Sequence, residues 1–170
     1  MKMLNILALT TMLLAGCGWQ LRDAQVVPGD LGAVHITSKS SNSELMVELR
    51  RTLKQSGVSV AATSADSNYS IVIVDYKRHR RTATVNSNVR VAEYQLNEDV
   101  DFLILGADGK ALFPMARASV ERTYLFDERD ILAAEAEEAQ LRKQMRGEII
   151  RQILNRLRVI PAIEKSPDSQ

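Results

Sequence analysis

The chain has 170 residues, 45% hydrophobic and 25% charged, with a formal net charge of +1. That balance suits one folded domain rather than a disordered chain, and near-neutrality argues against non-specific nucleic-acid binding. Aromatic residues make up 5%, too few for a platform that stacks bases or sugars.

Lys2 precedes an apolar run, Leu4 to Leu14, which ends in Ala15, Gly16 and Cys17, the single cysteine. A positive start, an apolar stretch shorter than the ~20 residues that span a bilayer and small residues before a cysteine make a bacterial lipoprotein signal. The expected chemistry is a diacylglycerol thioether on the Cys17 sulfur, cleavage before Cys17 and acylation of the new amino group. Several acyl chains anchor stably, at ~0.8 kcal/mol per buried CH₂. Once Cys17 is acylated, no thiol remains for a disulfide, a thiolate metal site or a nucleophile. Gly18, not Asp, follows Cys17, which favours the outer membrane under the sorting rule for such lipoproteins. The expected organisation is a signal peptide over 1–16, a lipidated tether over 17–32, a folded domain over 33–160 and a disordered tail over 161–170.

Val34 and Ile36 alternate in a short strand over Ala33 to Thr37. Ser41-Asn42-Ser43-Glu44 is a capping box, and Leu45, Leu49 and Leu53, with Met46, stripe a helix from about Asn42 to Gln55. Gly57 stands where a left-handed residue would end that helix. Val58 and Val60 form a short strand or merely leave the helix. Three long strands follow, over about Tyr69 to Thr84, Val89 to Leu105 and Ala111 to Phe126. In the second, Ala92, Tyr94, Leu96, Val100, Phe102 and Ile104 share one face; Glu93, Gln95, Asn97, Asp99 and Asp101 share the other. Such alternation indicates a sheet with one buried and one wet face. In the third, Leu112, Ala116, Ala118 and Val120 point inward. Asn86-Ser87-Asn88 and Asp108-Gly109 mark hairpins, and Pro114 suggests an edge or a bulge. A helix from about Asp130 to Arg158 carries Leu141, Met145, Ile149, Ile153 and Leu157 every four residues, joined by Ile150 and Leu154. Asp127, Glu128 and Asp130 suit its start, Arg156 and Arg158 its end. The expected fold is α+β and two-layered, with two helices on one face of a mostly antiparallel sheet of about four strands.

His35 and His79 stand far apart, outside any metal-ligand spacing, and no phosphate loop, dinucleotide fingerprint or serine-nucleophile motif is present. No cofactor, metal or catalytic residue is therefore expected. Asp99 and Asp101 read as solvated or salt-paired. Lys77-Arg78-His79-Arg80-Arg81 has cations on both strand faces, so it should run beyond the core near the first hairpin, with Arg90 returning beside it. It reads either as a contact for an anionic partner, which suits the planar donor fork of Arg, or as an aggregation-blocking strand end paired with Glu93, Asp99 or Asp101. Arg117 falls on the polar face; Arg122 falls in the apolar register, placed to close over the rim of the core.

Cys17-Gly18-Trp19-Gln20-Leu21-Arg22 resembles the opening of the LPS-assembly lipoprotein LptE (RlpB) family. So do Arg50-Arg51-Thr52-Leu53 in the first helix, Ala92-Glu93-Tyr94-Gln95 on the second long strand, Ala111-Leu112-Phe113-Pro114 before the third, and Arg122. The resemblance implies a non-enzymatic protein inside the lumen of the outer-membrane β-barrel LptD, as plug and assembly partner, in contact with lipopolysaccharide on its way to the outer leaflet. It makes the domain over 33–160 an LptE-like one. It implies lipopolysaccharide contacts among Lys77, Arg78, Arg80, Arg81, Arg90, Arg117 and Arg122, and barrel contacts at Glu93, Gln95 and Asn97. Arg90 and Arg117 are shifted from the family's two implicated cations, with Ser119 close to where the second is expected. The alternatives are another outer-membrane lipoprotein, such as a pilotin or barrel-assembly accessory, or a periplasmic hydrolase, for which no catalytic set is present.

Overall fold

A computed structural model describes residues 31–38 and 44–160. The lipoprotein signal, most of the tether, the capping box at Ser41 and the tail lie outside the described residues. The elements are β1 (Ala33–Ser38), α1 (Glu44–Gln55), β2 (Ser59–Ala61), β3 (Tyr69–Val85), β4 (Val91–Gly106), β5 (Ala116–Leu125) and α2 (Ile131–Leu157), with a short 3₁₀ turn at Ser64–Asp66.

The sheet has five strands in the order β2-β1-β3-β4-β5, against the four expected. Val58 leaves α1 buried and Val60 pairs with Val34, so the residues after Gly57 make a fifth strand. β1 runs parallel to β2 and β3, whereas β3–β4 and β4–β5 are antiparallel. The sheet is therefore mixed, with its longest ladders antiparallel. α1 supplies the crossover that a parallel β1–β2 neighbour requires. It ends in a full Schellman motif: Val58 N–H donates to Leu53 O and Gly57 N–H to Lys54 O, both at 3.1 Å, with Gly57 at φ 80°.

Both helices lie on one face. Leu45, Leu49 and Leu53 of α1 and Met145, Ile149, Ile153 and Leu157 of α2 are fully buried, against Val34, Ile36, Ile71, Ile73, Leu96, Val100 and Ile104 of the sheet. This core fills the end of the sheet where β1 begins. The other end is bare: residues 81–90, the far part of β3 and the hairpin loop, are all exposed, as two-faced cationic sequence requires.

Two details depart from the sequence pattern. A bulge between Ile73 and Asp75 reverses the face on which alternate β3 residues lie. Below it Ile71 and Ile73 face the helices; above it Tyr76, Arg78 and Arg80 do, opposite Val100, Glu98 and Leu96. β5 starts only at Ala116, not Ala111. A single bridge joins Leu105 and Ala111, and the strand forms after Pro114, which has no N–H to give a ladder.

Candidate functional site

The inner face of β4 is not apolar throughout. Glu98 occupies the register position between Leu96 and Val100 and is completely buried. One carboxylate oxygen accepts the Tyr76 hydroxyl at 2.7 Å; the other accepts Arg142 of α2 at 3.2 Å. Arg142 also grips Glu138, one turn earlier, with Nε at 2.8 Å and Nη2 at 2.7 Å. The second oxygen of Glu138 accepts the Tyr124 hydroxyl at 2.7 Å and Arg80 at 2.9 Å. Two carboxylates, two arginines and two tyrosines thus bridge the sheet to α2. Burial pushes both tyrosine hydroxyls up, aided by their carboxylate partners, Tyr124 to about 12 and Tyr76 further. Burial works against ionised Glu138, but the bonds from Tyr124, Arg142 and Arg80 outweigh it and hold its carboxyl below the usual range. Tyrosines and arginines occupy both carboxylates. The cluster positions α2. Among the described residues no group of His, Cys, Asp or Glu gathers as metal ligands do.

The cations named from the sequence do not form one patch. Lys77 pairs with Asp75 at 3.1 Å, Arg80 with Glu138 while stacking 4.6 Å over Tyr94, and Arg81 donates to Gln95. Arg78 stacks over Tyr76 at 5.7 Å. Arg117 forks onto Asp101 at 2.6 and 2.8 Å, which holds the Asp101 carboxyl below its ordinary range. Asp99 accepts Ser119 Oγ at 2.6 Å, and Glu93 accepts Thr84 at 2.9 Å. The expected pairing of Lys77–Arg81 with Glu93, Asp99 or Asp101 is therefore replaced by other partners. Arg122 closes over the core's rim by pairing with Glu148 of α2. Glu93, Gln95 and Asn97 line the outer sheet face, half-buried. Cys17 lies outside the described residues.

What gathers instead is the far end of the molecule. A groove of about 540 Å³ runs between the β3–β4 loop and the start of α2, lined by Asn86, Arg90, Ala92, Phe126, Arg129 and Ala133, among others. Arg90 pairs with Glu128 at 2.8 Å yet stays 65% exposed, and Arg129 pairs with Asp127 at 2.7 Å and is 89% exposed. The Arg129 side chain and backbone N–H lower Asp127 to about 2. Around these cations Val85, Val89, Leu125, Ile131 and Leu132 are exposed. Val89 has φ 59°, a left-handed conformation that β-branched residues avoid. The Asn86 side chain holds the loop, accepting Asn88 N–H at 3.0 Å and Arg90 N–H at 3.1 Å. Of this end, sequence reading found Arg90 and the turn residues; Leu125, Arg129, Ile131 and Leu132 were missed, because the end of β5 and the start of α2 lie 35 or more residues from Arg90 in the chain.

These features define a two-layer domain with an ion-bridged helix, no assembled catalytic set among the described residues, and an amphiphilic end. The solved structures it resembles are bacterial lipoproteins. Lipoprotein B of Nitrosomonas europaea superposes with a TM-score of 0.73 at 25% identity, over 85% of this chain and 93% of that one. Rare lipoprotein B of Shewanella oneidensis shares the fold with a TM-score of 0.69, over 79% of this chain and 99% of that one, at 23% identity. The family model for LptE, lipopolysaccharide-assembly, matches residues 31–157, and the chain belongs to that family. It is 26% identical to the LPS-assembly lipoprotein LptE of Photorhabdus laumondii over 94% of this chain and 87% of the relative. With that of Yersinia enterocolitica it shares 29% over 94% and 76%.

Proposed function

We propose that this chain is an outer-membrane lipoprotein, held by acylated Cys17 on the periplasmic side, that acts without catalysis in lipopolysaccharide assembly. In this reading residues 1–16 are the signal, 17–32 the tether, 33–160 the working domain and 161–170 a tail. Its partners are lipopolysaccharide and the β-barrel LptD, whose lumen it plugs and whose assembly it supports.

The observation that carries the lipopolysaccharide contact is the far end, where the exposed cations Arg90 and Arg129 and the exposed Leu125 line one groove. An amphiphile with phosphates beside acyl chains needs that combination, and Arg supplies the planar fork that phosphate favours. Of the seven candidate cations, Arg90 is the one that lines the groove; Arg129 joins it. Lys77, Arg78, Arg80 and Arg81 lie along β3 behind it. Arg117 and Arg122 each hold a carboxylate of the chain. The outer face with Glu93, Gln95 and Asn97 supports the barrel contact, since a barrel lumen is lined by polar groups.

Three measurements test this reading. Arg90→Ser with Arg129→Ser should weaken lipopolysaccharide binding at low salt more than Lys77→Ser with Arg81→Ser; the reverse order moves the site down the strand. Photo-crosslinkers at Gln95 and Asn97 in intact cells should capture LptD, and Cys17→Ala should abolish acylation. Capture of a different outer-membrane protein would favour the accessory-lipoprotein alternative.

A further inference from the structure

Besides the short run Ile36–Ser38 of β1, where Arg50 donates to Ile36 O at 2.9 Å, the described sheet has three stretches of edge, and the fold treats them differently. β2 offers only three residues. β5 offers ten, but side chains close it at its middle: Ser119 N–H donates to Gln152 Oε1 at 3.3 Å, Gln152 Nε2 donates to Ser119 O at 3.1 Å, and Arg122 donates to Glu121 O at 2.8 Å. The third stretch lies within β3. β1 pairs with it only from Tyr69 to Ile73, whereas β4 pairs with it as far as Val85. Above Ile73 no described strand lies on its other side. Asp75 accepts Tyr76 N–H at 2.8 Å and holds Lys77, which finishes the bulge. From Lys77 to Val85 every residue is exposed. In an antiparallel ladder every second residue turns its N–H and C=O away from the partner, so an open edge remains, regular for roughly 20 Å from Lys77 to Thr82 and bulged from Thr82 to Val85.

We propose that the β3 edge from Lys77 to Val85 takes up an extended acidic segment of another protein as a sixth strand. Backbone bonds would supply affinity, and the side chains alongside would choose the sequence. Those side chains put cations on both faces: Lys77 and Arg81 on the outer face, Arg78 and Arg80 on the helix face. Carboxylates at alternate positions of an added strand share one face, and on whichever face they fall they meet cations of β3. A second copy of this chain suits the edge poorly. Antiparallel pairing over the whole of Lys77–Val85 sets Arg81 against Arg81 with both Arg80 side chains adjacent, and like charges directly opposite are unfavourable. Cations also deter neutral and basic strands, so the same residues that protect this edge would make it selective.

The test uses the full mature chain in detergent micelles and three nine-residue probes: a Glu/Thr/Val peptide with Glu at alternate positions, the same peptide N-methylated on the amides that would face β3, and its Lys-for-Glu counterpart. The acidic peptide should bind and slow amide exchange at alternate residues between Lys77 and Val85. N-methylation, which leaves the charge intact, should weaken binding at least tenfold, and the Lys peptide should not bind. Lys77→Glu combined with Arg78→Glu should reverse the preference between the acidic and Lys peptides. Equal binding of the methylated and unmethylated peptides, no slowing of exchange, or slowing confined to β5 would each overturn the proposal. None of these readouts involves lipopolysaccharide, so the outcome is separate from the function proposed above.

Discussion

Glu98 shows how one residue can govern the join between layers. A fully buried carboxylate is tolerated only with partners for its lone pairs, and Tyr76 and Arg142 supply them. Removing the cation is worse than removing the anion. Arg142→Met strands a buried charge and should cost about 3–5 kcal/mol. Glu98→Gln keeps the shape, leaves Arg142 on Glu138 and should cost about 1–2 kcal/mol; urea unfolding measures both, and equal losses would refute the account. Glu138 gives the site its pH dependence. Its folded pKa is depressed relative to about 4.3 for a free glutamate, so its contribution is present above that value and is lost as pH falls through the folded pKa. The acid limb of the stability profile should flatten in Glu138→Gln. Tyr124, raised to about 12, contributes fully below about pH 10 and loses its contribution as pH rises through 12. The sequence reading of β4 passed over Glu98, although the alternation places it on the apolar face. Its partners were not legible, because Tyr76 lies 22 residues away and Arg142 44, and only the folded register joins them.

At the scale of elements, the sequence located both helices and the three long strands because their periodicities run unbroken. It misplaced what single residues decide. Pro114 delays β5, and the Ile73–Asp75 bulge sets which way the cations point. Val89, expected to begin the second long strand, instead closes the hairpin loop in a left-handed conformation. A β-branched residue there costs about 1–2 kcal/mol relative to a residue that accepts positive φ. Val89→Gly should therefore stabilise the protein by up to about 1 kcal/mol in denaturant while weakening lipopolysaccharide binding, since it removes an exposed methyl pair from the groove's rim. Stabilisation with binding unchanged would show that the valine has no part in contact. The candidate site was legible only through Arg90, since the residues opposite it come from β5 and α2.

Across the whole molecule, one core at one end of the sheet carries the stability. Leu96→Asp puts a charge at a fully buried core position and should unfold the protein or cost several kcal/mol. Gln95→Asp, one residue away on the outer face, should cost well under that; circular dichroism melts separate the two. The sequence predicted this two-layer plan, and the position of the core within the plan emerged from the register. That position has a mechanical consequence. β1 begins beside Tyr69, and the hairpin loop lies at the other end of a 17-residue strand, roughly 55 Å away at ~3.3 Å per residue. The two-strand arm beyond the core therefore acts as a gauge rod: it holds the exposed loop at a set reach from the base of the domain.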